Sequence, residues 1–426
     1  MANIVIAMTN PLRRDGGIFP YIETFLNGLK KEGNSVLCFE KLAIDNNINS
    51  TIPENYLHRL KEFDPDLFIF FNNQFWDITK YFDVPIIVYD IDSLNAYNNL
   101  SGLKNNGRYK YFCITRKEKD IIKAVINCSE KDICYIPPFS GVIAEAQKIE
   151  RNIGFCGSHW LWNNFNEVFD FIKNNPSAID RDYAKVVWKQ YIKNPYMALE
   201  DIYKENGLNA TTQLRANDLH IFAARISGLK RVRYLLEIED LGLEIRGQHW
   251  NNASCQILKA FPELLMSYSA EKVINTQTTA NFYNSSKIGF CVNHIQANSG
   301  FSWRVCDILA SNACLVTEAA PDLADFGFNI PTFESPVEAR EQCKKLLDNE
   351  NLRLDIVAIA KERIQKNYRF GNVLPIIENF VGINLHSNSI GHLEFIRTDI
   401  NNVKTTNDNN RLKGIKHFFS NILNKL

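Results

Sequence analysis

The chain has 426 residues, which is too long for one ordinary hydrophobic core and sufficient for two α/β domains. Hydrophobic residues make up 45% and charged residues 23%, a balance that is typical of globular proteins and excludes a disordered chain. Lys and Arg (48) balance Asp and Glu (48), so no overall positive field favours nucleic acid as a partner. The ten cysteines form no Cys-x-x-Cys pair, which argues against zinc and favours reduced thiols in the cytoplasm.

Short apolar runs alternate with helical stretches through the first part of the chain. Strands are predicted at 4–8, 35–39, 67–71, 86–89, 111–114 and 133–136. Because strands and helices alternate in this way in βαβ units, we predict a parallel sheet in a Rossmann-like domain over 1–149. No run of 18 apolar residues occurs, so we expect no membrane span.

A second α/β unit is predicted over 150–385. Trp, Tyr, Asn and Lys recur at helical spacing over about 160–224, which predicts a helical insertion. Further strands are predicted at 153–156, 243–245, 288–292, 313–317 and 330–332, and a helix around 374–380 is predicted to close this domain. Two such units create a cleft at the carboxyl ends of their strands, where open α/β sheets bind ligands.

The composition changes after residue 385. An Asn-rich stretch predicts a polar linker over 386–410. Residues 411–426 have apolar side chains at helical spacing and no acidic residue, which predicts a short basic amphipathic helix. Its basic residues are Arg411, Lys413, Lys416 and Lys425. We predict that this helix binds the anionic inner face of the membrane, and docking on the protein itself or contacts in an oligomer remain open.

The segment 300–312 has the residues best suited to hold a charged ligand. Gly300-Phe301-Ser302 predicts a turn that enters a helix at about Trp303. The N–H groups at the start of that helix and the guanidinium of Arg304 together suit a diphosphate. Asp307 lies three residues later and therefore on the same helical face. The alternative is that Arg304 and Asp307 form only a surface ion pair.

Four motifs occur in one order in the second half of the chain. They are Ile-Gly-Phe-Cys-Gly-Ser at 153–158, Leu-Gly-Leu-Glu-Ile-Arg-Gly-Gln-His-Trp at 241–250, Tyr-Asn-Ser-Ser-Lys-Ile at 283–288 with its continuation to Asn293, and the segment 300–312. Together they resemble the GT-B glycosyltransferases of the group 1 type, especially the branch with the spore-coat glycosyltransferase-like proteins. The resemblance implies two Rossmann-like domains that face a cleft, the first binding an acceptor and the second a nucleotide sugar.

The resemblance also implies individual roles. In the family a glutamate at the position of Asp307 binds the ribose of the donor, and a glycine is usual at the position of Asn312. The first acidic residue of the paired-glutamate motif of the retaining families would fall near Ser299, which is not acidic. These departures leave open whether the anomeric configuration is retained or inverted.

The candidate site residues divide into three groups. The donor-binding candidates are Gly157, Ser158, Gly247, His249, Trp250, Lys287, Asn293, His294, Ser302, Arg304 and Asp307. The catalytic candidates are Asp92, His159 and Arg304, and the acceptor-side candidates are Asp15, Gly16, Gly17 and Asp90. Plainer interpretations remain open, because Lys287 and Asn293 could be strand-edge residues and His159 and His294 solvated loop residues.

Two first-domain motifs also have alternatives. Glycines at 16 and 17 let a backbone approach a ligand closely, or form only a tight turn. Asp90-Ile91-Asp92 could clamp a metal ion as in the other large glycosyltransferase fold, but the second Rossmann unit favours an acceptor-side or base role. The GT-B resemblance implies that cations and helix dipoles stabilise the leaving diphosphate, so we expect no metal and no cofactor.

We therefore predict a cytoplasmic, metal-independent glycosyltransferase of polysaccharide biosynthesis, peripheral on the inner membrane face. The donor would be a nucleotide diphosphate sugar, and the acceptor a surface polysaccharide, a lipopolysaccharide or another glycoconjugate, including a lipid-linked glycan. The alternative is a non-catalytic protein on the same fold that binds a sugar nucleotide or a polysaccharide. An NAD-dependent enzyme is excluded because no Gly-x-Gly-x-x-Gly follows the first strand.

Overall fold

The structure is a computed structural model with two parallel β-sheets and helices on their faces. It describes residues 1–7, 18–39, 52, 54–72, 78–91, 100–157, 173–174, 178–193, 202, 204–207, 227–228, 230–247, 261–294, 297 and 299–396. Several predictions fall outside these residues, namely those for Asp15, Gly16, Gly17, Asp92, Ser158, His159, His249, Trp250, most of 160–224 and all of 397–426. The predicted α/β class is confirmed.

The first sheet contains all six predicted strands. They are β1 (Asn3–Ala7), β2 (Ser35–Phe39), β3 (Leu67–Phe71), β4 (Ile86–Asp90), β5 (Tyr109–Cys113) and β6 (Ile133–Tyr135). The helices are α1 (Pro20–Lys31), α2 (Glu54–Phe63), α3 (Leu100–Leu103) and α4 (Arg116–Ile122). The strands β3 and β4 are buried along their whole length, because apolar clusters cover both faces of the sheet.

The second sheet also follows the prediction. Its strands are β7 (Arg151–Cys156), β8 (Leu243–Arg246), β9 (Ser286–Cys291), β10 (Cys314–Glu318) and β11 (Thr332–Phe333), in the order β11-β10-β9-β7-β8. Its helices are α5 (Ala178–Lys193), α6 with its described part at 230–237, α7 (Thr276–Asn284), α8 (Arg304–Leu309), α9 (Pro336–Asp348) and α10 (Glu350–Asn367). All the strand pairs are parallel, so the carboxyl ends lie along one edge.

The last helix belongs to the first domain, and its assignment to the second was wrong. Helix α11 (Phe370–Val381) buries Val373 and Ile377 in the same apolar cluster as Phe25 of α1 and Ile6 of β1. The spacing of its apolar residues shows that one face is buried but cannot show which core receives it.

The stretch after α11 also differs from the predicted polar linker. Residues His392–Ile396 form strand β12, which pairs in parallel with β2 at the edge of the first sheet, so the order is β12-β2-β1-β3-β4-β5-β6. The buried Asn34 holds the segment before β12 against the first domain, because its side chain donates to the carbonyl oxygens of Leu29 (3.0 Å) and Leu385 (2.6 Å). No helix of the described residues is long and apolar enough to cross a membrane.

Candidate active site

The predicted turn and helix start at 300–304 lie at the carboxyl edge of the second sheet. Asn293 follows β9, and its Oδ1 accepts a hydrogen bond from the N–H of Ser302 (3.2 Å). The hydroxyl of Ser302 in turn accepts from the N–H of Arg304 (3.4 Å), where α8 begins. These hydrogen bonds hold the turn, and they bring together three of the predicted donor-side residues.

Two guanidinium groups lie in this region. A Cβ placed on Gly157, after β7, would lie 3.8 Å from an Nη of Arg304, so the guanidinium lies beside the turn that follows β7. Arg231 of α6 is buried nearby; burial, and then the charge of Arg304, lower its pKa to about 10. Both groups remain cationic at neutral pH and give this edge positive charge that suits an anion.

Arg231 and its neighbour Lys230 were missed in the sequence. The ammonium of Lys230 contacts both carboxylate oxygens of Glu318, the last residue of β10, at 2.8 and 2.9 Å. The Oε2 of Glu318 also accepts from the N–H of Asn293 (3.1 Å). The available signal was the pair Lys230-Arg231 next to the apolar Val232, because both basic side chains are buried in α6.

The two glycines predicted on the donor side permit close packing of the strand ends. A Cβ at Gly247 would collide with the carbonyl oxygen of Gly157, so these two turns meet as only glycine allows. The N–H of Gly157 donates to the carbonyl of Arg246 (3.0 Å). His294 lies directly after Asn293 at the same edge, half-buried. Contact of these residues with a donor stays a prediction.

Asp307 is more deeply buried than the sequence indicated. It is 3% exposed, and one carboxylate oxygen accepts a hydrogen bond from the hydroxyl of Ser140 (2.6 Å), in the segment that joins the two sheets. The alternative of a surface ion pair with Arg304 is therefore wrong. Burial raises the pKa of Asp307 to about 7, against hydrogen bonding by Ser140 and the charges of Arg304 and Arg369. Its predicted contact with ribose stays a prediction.

The buried carboxyl of Asp307 predicts a pH effect on stability. Its pKa is about 7 in the fold against an ordinary 3.8, so between these values the folded chain retains a proton that the unfolded chain releases. The free energy of unfolding should therefore fall as pH rises from about 4 to about 7, by up to about 1.4 kcal/mol per pH unit from this group. Asp307→Asn should remove that part of the decline. Urea unfolding of both proteins at several pH values tests this, and parallel pH profiles would contradict it.

Lys287 does not join the other donor-side candidates. It is the second residue of β9, four residues before the carboxyl end of the strand, and thus about 13 Å from it. There it lines a groove of about 860 Å³ with Arg151, Glu244 and Arg246, whose charges pair with one another. Among the predicted donor residues of the described chain, Lys287 is the one placed toward the opposite edge of the sheet.

On the first domain, Asp90 is the last residue of β4 and is buried at the carboxyl edge of the sheet. Beside it, the Oδ1 of Asn72 accepts from the N–H of Ile91 (3.0 Å). This is the edge where an acceptor was predicted. Within the part of the chain that the structure describes, no group of three or more His, Cys, Asp or Glu side chains is arranged to hold a metal ion.

The two domains meet at the same turn. The carboxylate of Asp322 accepts from the N–H of Arg116 at the start of α4 (3.0 Å) and from the hydroxyl of Ser299 (3.1 Å). The indole of Trp303 stacks on Tyr21 of α1 with ring centroids 5.0 Å apart. The segment that enters α8 therefore lies between the domains, at the cleft that the sequence predicts.

Two Rossmann-like domains with a charged site at their shared cleft define the GT-B fold. The fold is similar to that of an alpha-glucosyltransferase solved with UDP and a 13-mer DNA containing a HMU base (TM-score 0.50, 12% identity, 89% of this chain and 99% of that one). Other similar structures are a glycosyltransferase from Rickettsia africae ESF-5 (0.49, 9%, 91% and 99%) and WaaG, a glycosyltransferase involved in lipopolysaccharide biosynthesis (0.49, 11%, 89% and 100%). At these identities the similarity shows the fold alone.

One family model matches part of the sequence. Residues 229–378 match the family described as Glycosyl transferase-like, a region that extends from α6 into α11 and contains Arg231, Arg304 and Glu318. The predicted resemblance to GT-B glycosyltransferases is thereby confirmed, whereas the spore-coat branch stays a prediction. The sequence has no significant match among curated proteins.

Proposed function

We propose that this protein is a glycosyltransferase that uses a nucleotide diphosphate sugar and glycosylates a glycan or glycoconjugate. The position of the Arg304 guanidinium beside the turn after β7, at the carboxyl edge of the second sheet and inside the family match, carries this proposal. Arg231 is buried nearby and adds a second positive charge to this region.

Transfer of the sugar leaves a diphosphate whose negative charge grows in the transition state. Arg304 and Arg231 lie where they stabilise that charge, and such preorganised stabilisation accounts for most of the rate enhancement in many enzymes. The acceptor hydroxyl must lose a proton, and Asp90, Asp92 and His159 are the candidates for the base. Asp90 lies at the facing edge of the first domain, where we place the acceptor.

The choice of substrates follows from charge and from the shared fold. The similar alpha-glucosyltransferase was solved with UDP, so a UDP-sugar is the first donor to test. Its DNA is not the acceptor expected here, because the acidic and basic residues of this chain are equal in number. We propose a polysaccharide, lipopolysaccharide or lipid-linked glycan acceptor in the cytoplasm, at the inner membrane face.

Thermal shift and transfer assays with UDP-, GDP-, dTDP- and CMP-linked sugars test the proposal. A true donor at 100 times its Kd stabilises the fold by about 2.7 kcal/mol. The CMP-sugar is the matched control, because it carries one phosphate and should stabilise least. Stabilisation without transfer or hydrolysis would instead identify the non-catalytic sugar-nucleotide binder. Failure of every nucleotide sugar to stabilise the protein would refute a donor site.

We also propose that the reaction needs no metal ion or cofactor, because Arg304 and Arg231 supply the positive charge. Activity measured after treatment with EDTA should equal activity in untreated protein. Loss of activity with EDTA, and its recovery with Mn²⁺, would assign Asp90 and Asp92 to a metal clamp instead.

A further inference from the structure

The buried ion pair of Lys230 and Glu318 lies next to Asn293, one of the candidate donor-side residues. Lys230 is 4% exposed and Glu318 is 7% exposed, and the ammonium contacts both carboxylate oxygens. Removing two charges from water costs several kcal/mol for each ion, and their attraction returns this cost only with good geometry and further hydrogen bonds. A well-packed apolar pair would often be at least as stable, so stability alone is a poor reason for this arrangement.

Glu318 connects this pair to the turn that precedes α8. Its Oε2 accepts from the N–H of Asn293 (3.1 Å), and the side chain of Asn293 accepts from the N–H of Ser302 (3.2 Å). Ser302 then accepts from the N–H of Arg304 (3.4 Å). Three hydrogen bonds in series thus link the carboxylate to the residue whose guanidinium faces the site.

The carboxylate of Glu318 also offsets the positive charge of its neighbours. Lys230 precedes Arg231 in α6, and Arg231 lies within electrostatic reach of Arg304. Without Glu318, three cations would share one largely buried region. With Glu318, the charge of Lys230 is neutralised by a carboxylate that contacts its ammonium.

We propose that Glu318 is a positioning residue of the donor site: it fixes the turn from Asn293 to Ser302, and through it Arg304, in the arrangement that receives a diphosphate. Lys230 holds the carboxylate in place for this role. Both carboxylate oxygens are engaged within the protein, so Glu318 acts through Arg304 and does not contact the donor. This inference rests on the proposed function.

The test compares variants that differ in the charge and in the acceptor at position 318. Glu318→Leu removes the oxygen that accepts from the N–H of Asn293 and should weaken binding of UDP, or of whichever nucleoside diphosphate stabilises the wild type, by about 10–100-fold. The double variant Lys230→Met with Glu318→Gln removes both charges and keeps an amide oxygen for Asn293, so most of the affinity should return. Lys230→Met with Glu318→Leu removes the acceptor as well and should stay weak. The Kd is measured by calorimetry, and urea unfolding gives the stability of each variant.

Glu244→Gln is the matched control. Glu244 pairs with the buried Arg151 (2.8 Å) in the same sheet, and Arg151 begins β7 at the edge opposite to the site. This variant should lose stability and keep its affinity for the nucleotide. Equal nucleotide affinity in all folded Glu318 variants would overturn the positioning role and leave the proposed function intact. A wild-type protein that binds no nucleoside diphosphate would overturn both.

Discussion

Replacement of Arg304 by alanine is expected to lower kcat by a factor of about 10²–10³, with the fold preserved. The guanidinium lies beside the turn after β7, half-buried at the start of α8, so it is held in place before the donor binds. A preorganised charge of this kind stabilises the leaving diphosphate more than the bound ground state, and its loss therefore appears in kcat.

The measurement is the rate of sugar transfer at saturating donor with the acceptor concentration varied. Circular dichroism confirms that the variant is folded. Arg304→Lys should recover only part of the rate, because an ammonium keeps the charge and loses the planar fork. Arg340→Ala is the control: Arg340 pairs with Asp240 on the surface of the same domain, at 2.5 and 2.7 Å. Full activity of Arg304→Ala with saturating donor would show that the donor site lies elsewhere.

The sheets and the turn at 300–302 were predictable from local sequence because their signals are local. The runs Leu67–Phe71 and Ile86–Asp90 are apolar nearly throughout, as strands covered on both faces must be. Gly300 and Ser302 similarly mark a turn before a helix. Features of this kind depend on a few consecutive residues, and the structure reproduces them within a few positions.

The remaining features depend on contacts between distant parts of the chain. Helix α11 shows an amphipathic pattern, but only the fold places it against α1, some 350 residues earlier. The sequence around Asp307 is compatible with an exposed helical residue, and only the fold places the hydroxyl of Ser140 against its carboxylate. Lys230 and Glu318 are separated by 88 residues, so no spacing rule could pair them.

The position of β12 shows where the chain leaves the first sheet before the predicted membrane-binding helix. The strand ends at Ile396, beside Phe39, on the carboxyl edge of the first sheet, the edge at which Asp90 ends β4. Residues 397–410 are 14 residues long and span at most about 50 Å when extended, so the predicted helix 411–426 begins at most that far from this edge. We propose that this arrangement brings the cleft to a lipid-linked glycan at the membrane surface.

Deletion of residues 411–426 is therefore expected to lower the affinity for anionic vesicles by about 10³-fold, because each of four basic side chains contributes about 1 kcal/mol near anionic lipid. Sedimentation with phosphatidylglycerol-containing vesicles at low and high salt measures the effect, which salt should weaken. A variant with Arg411, Lys413, Lys416 and Lys425 replaced by Gln keeps the apolar stripe and separates charge from burial. Turnover on a soluble acceptor should not change in either protein. Undiminished vesicle binding after the deletion would rule out the anchor, and lost stability or a changed oligomeric state would show that the segment packs on protein instead.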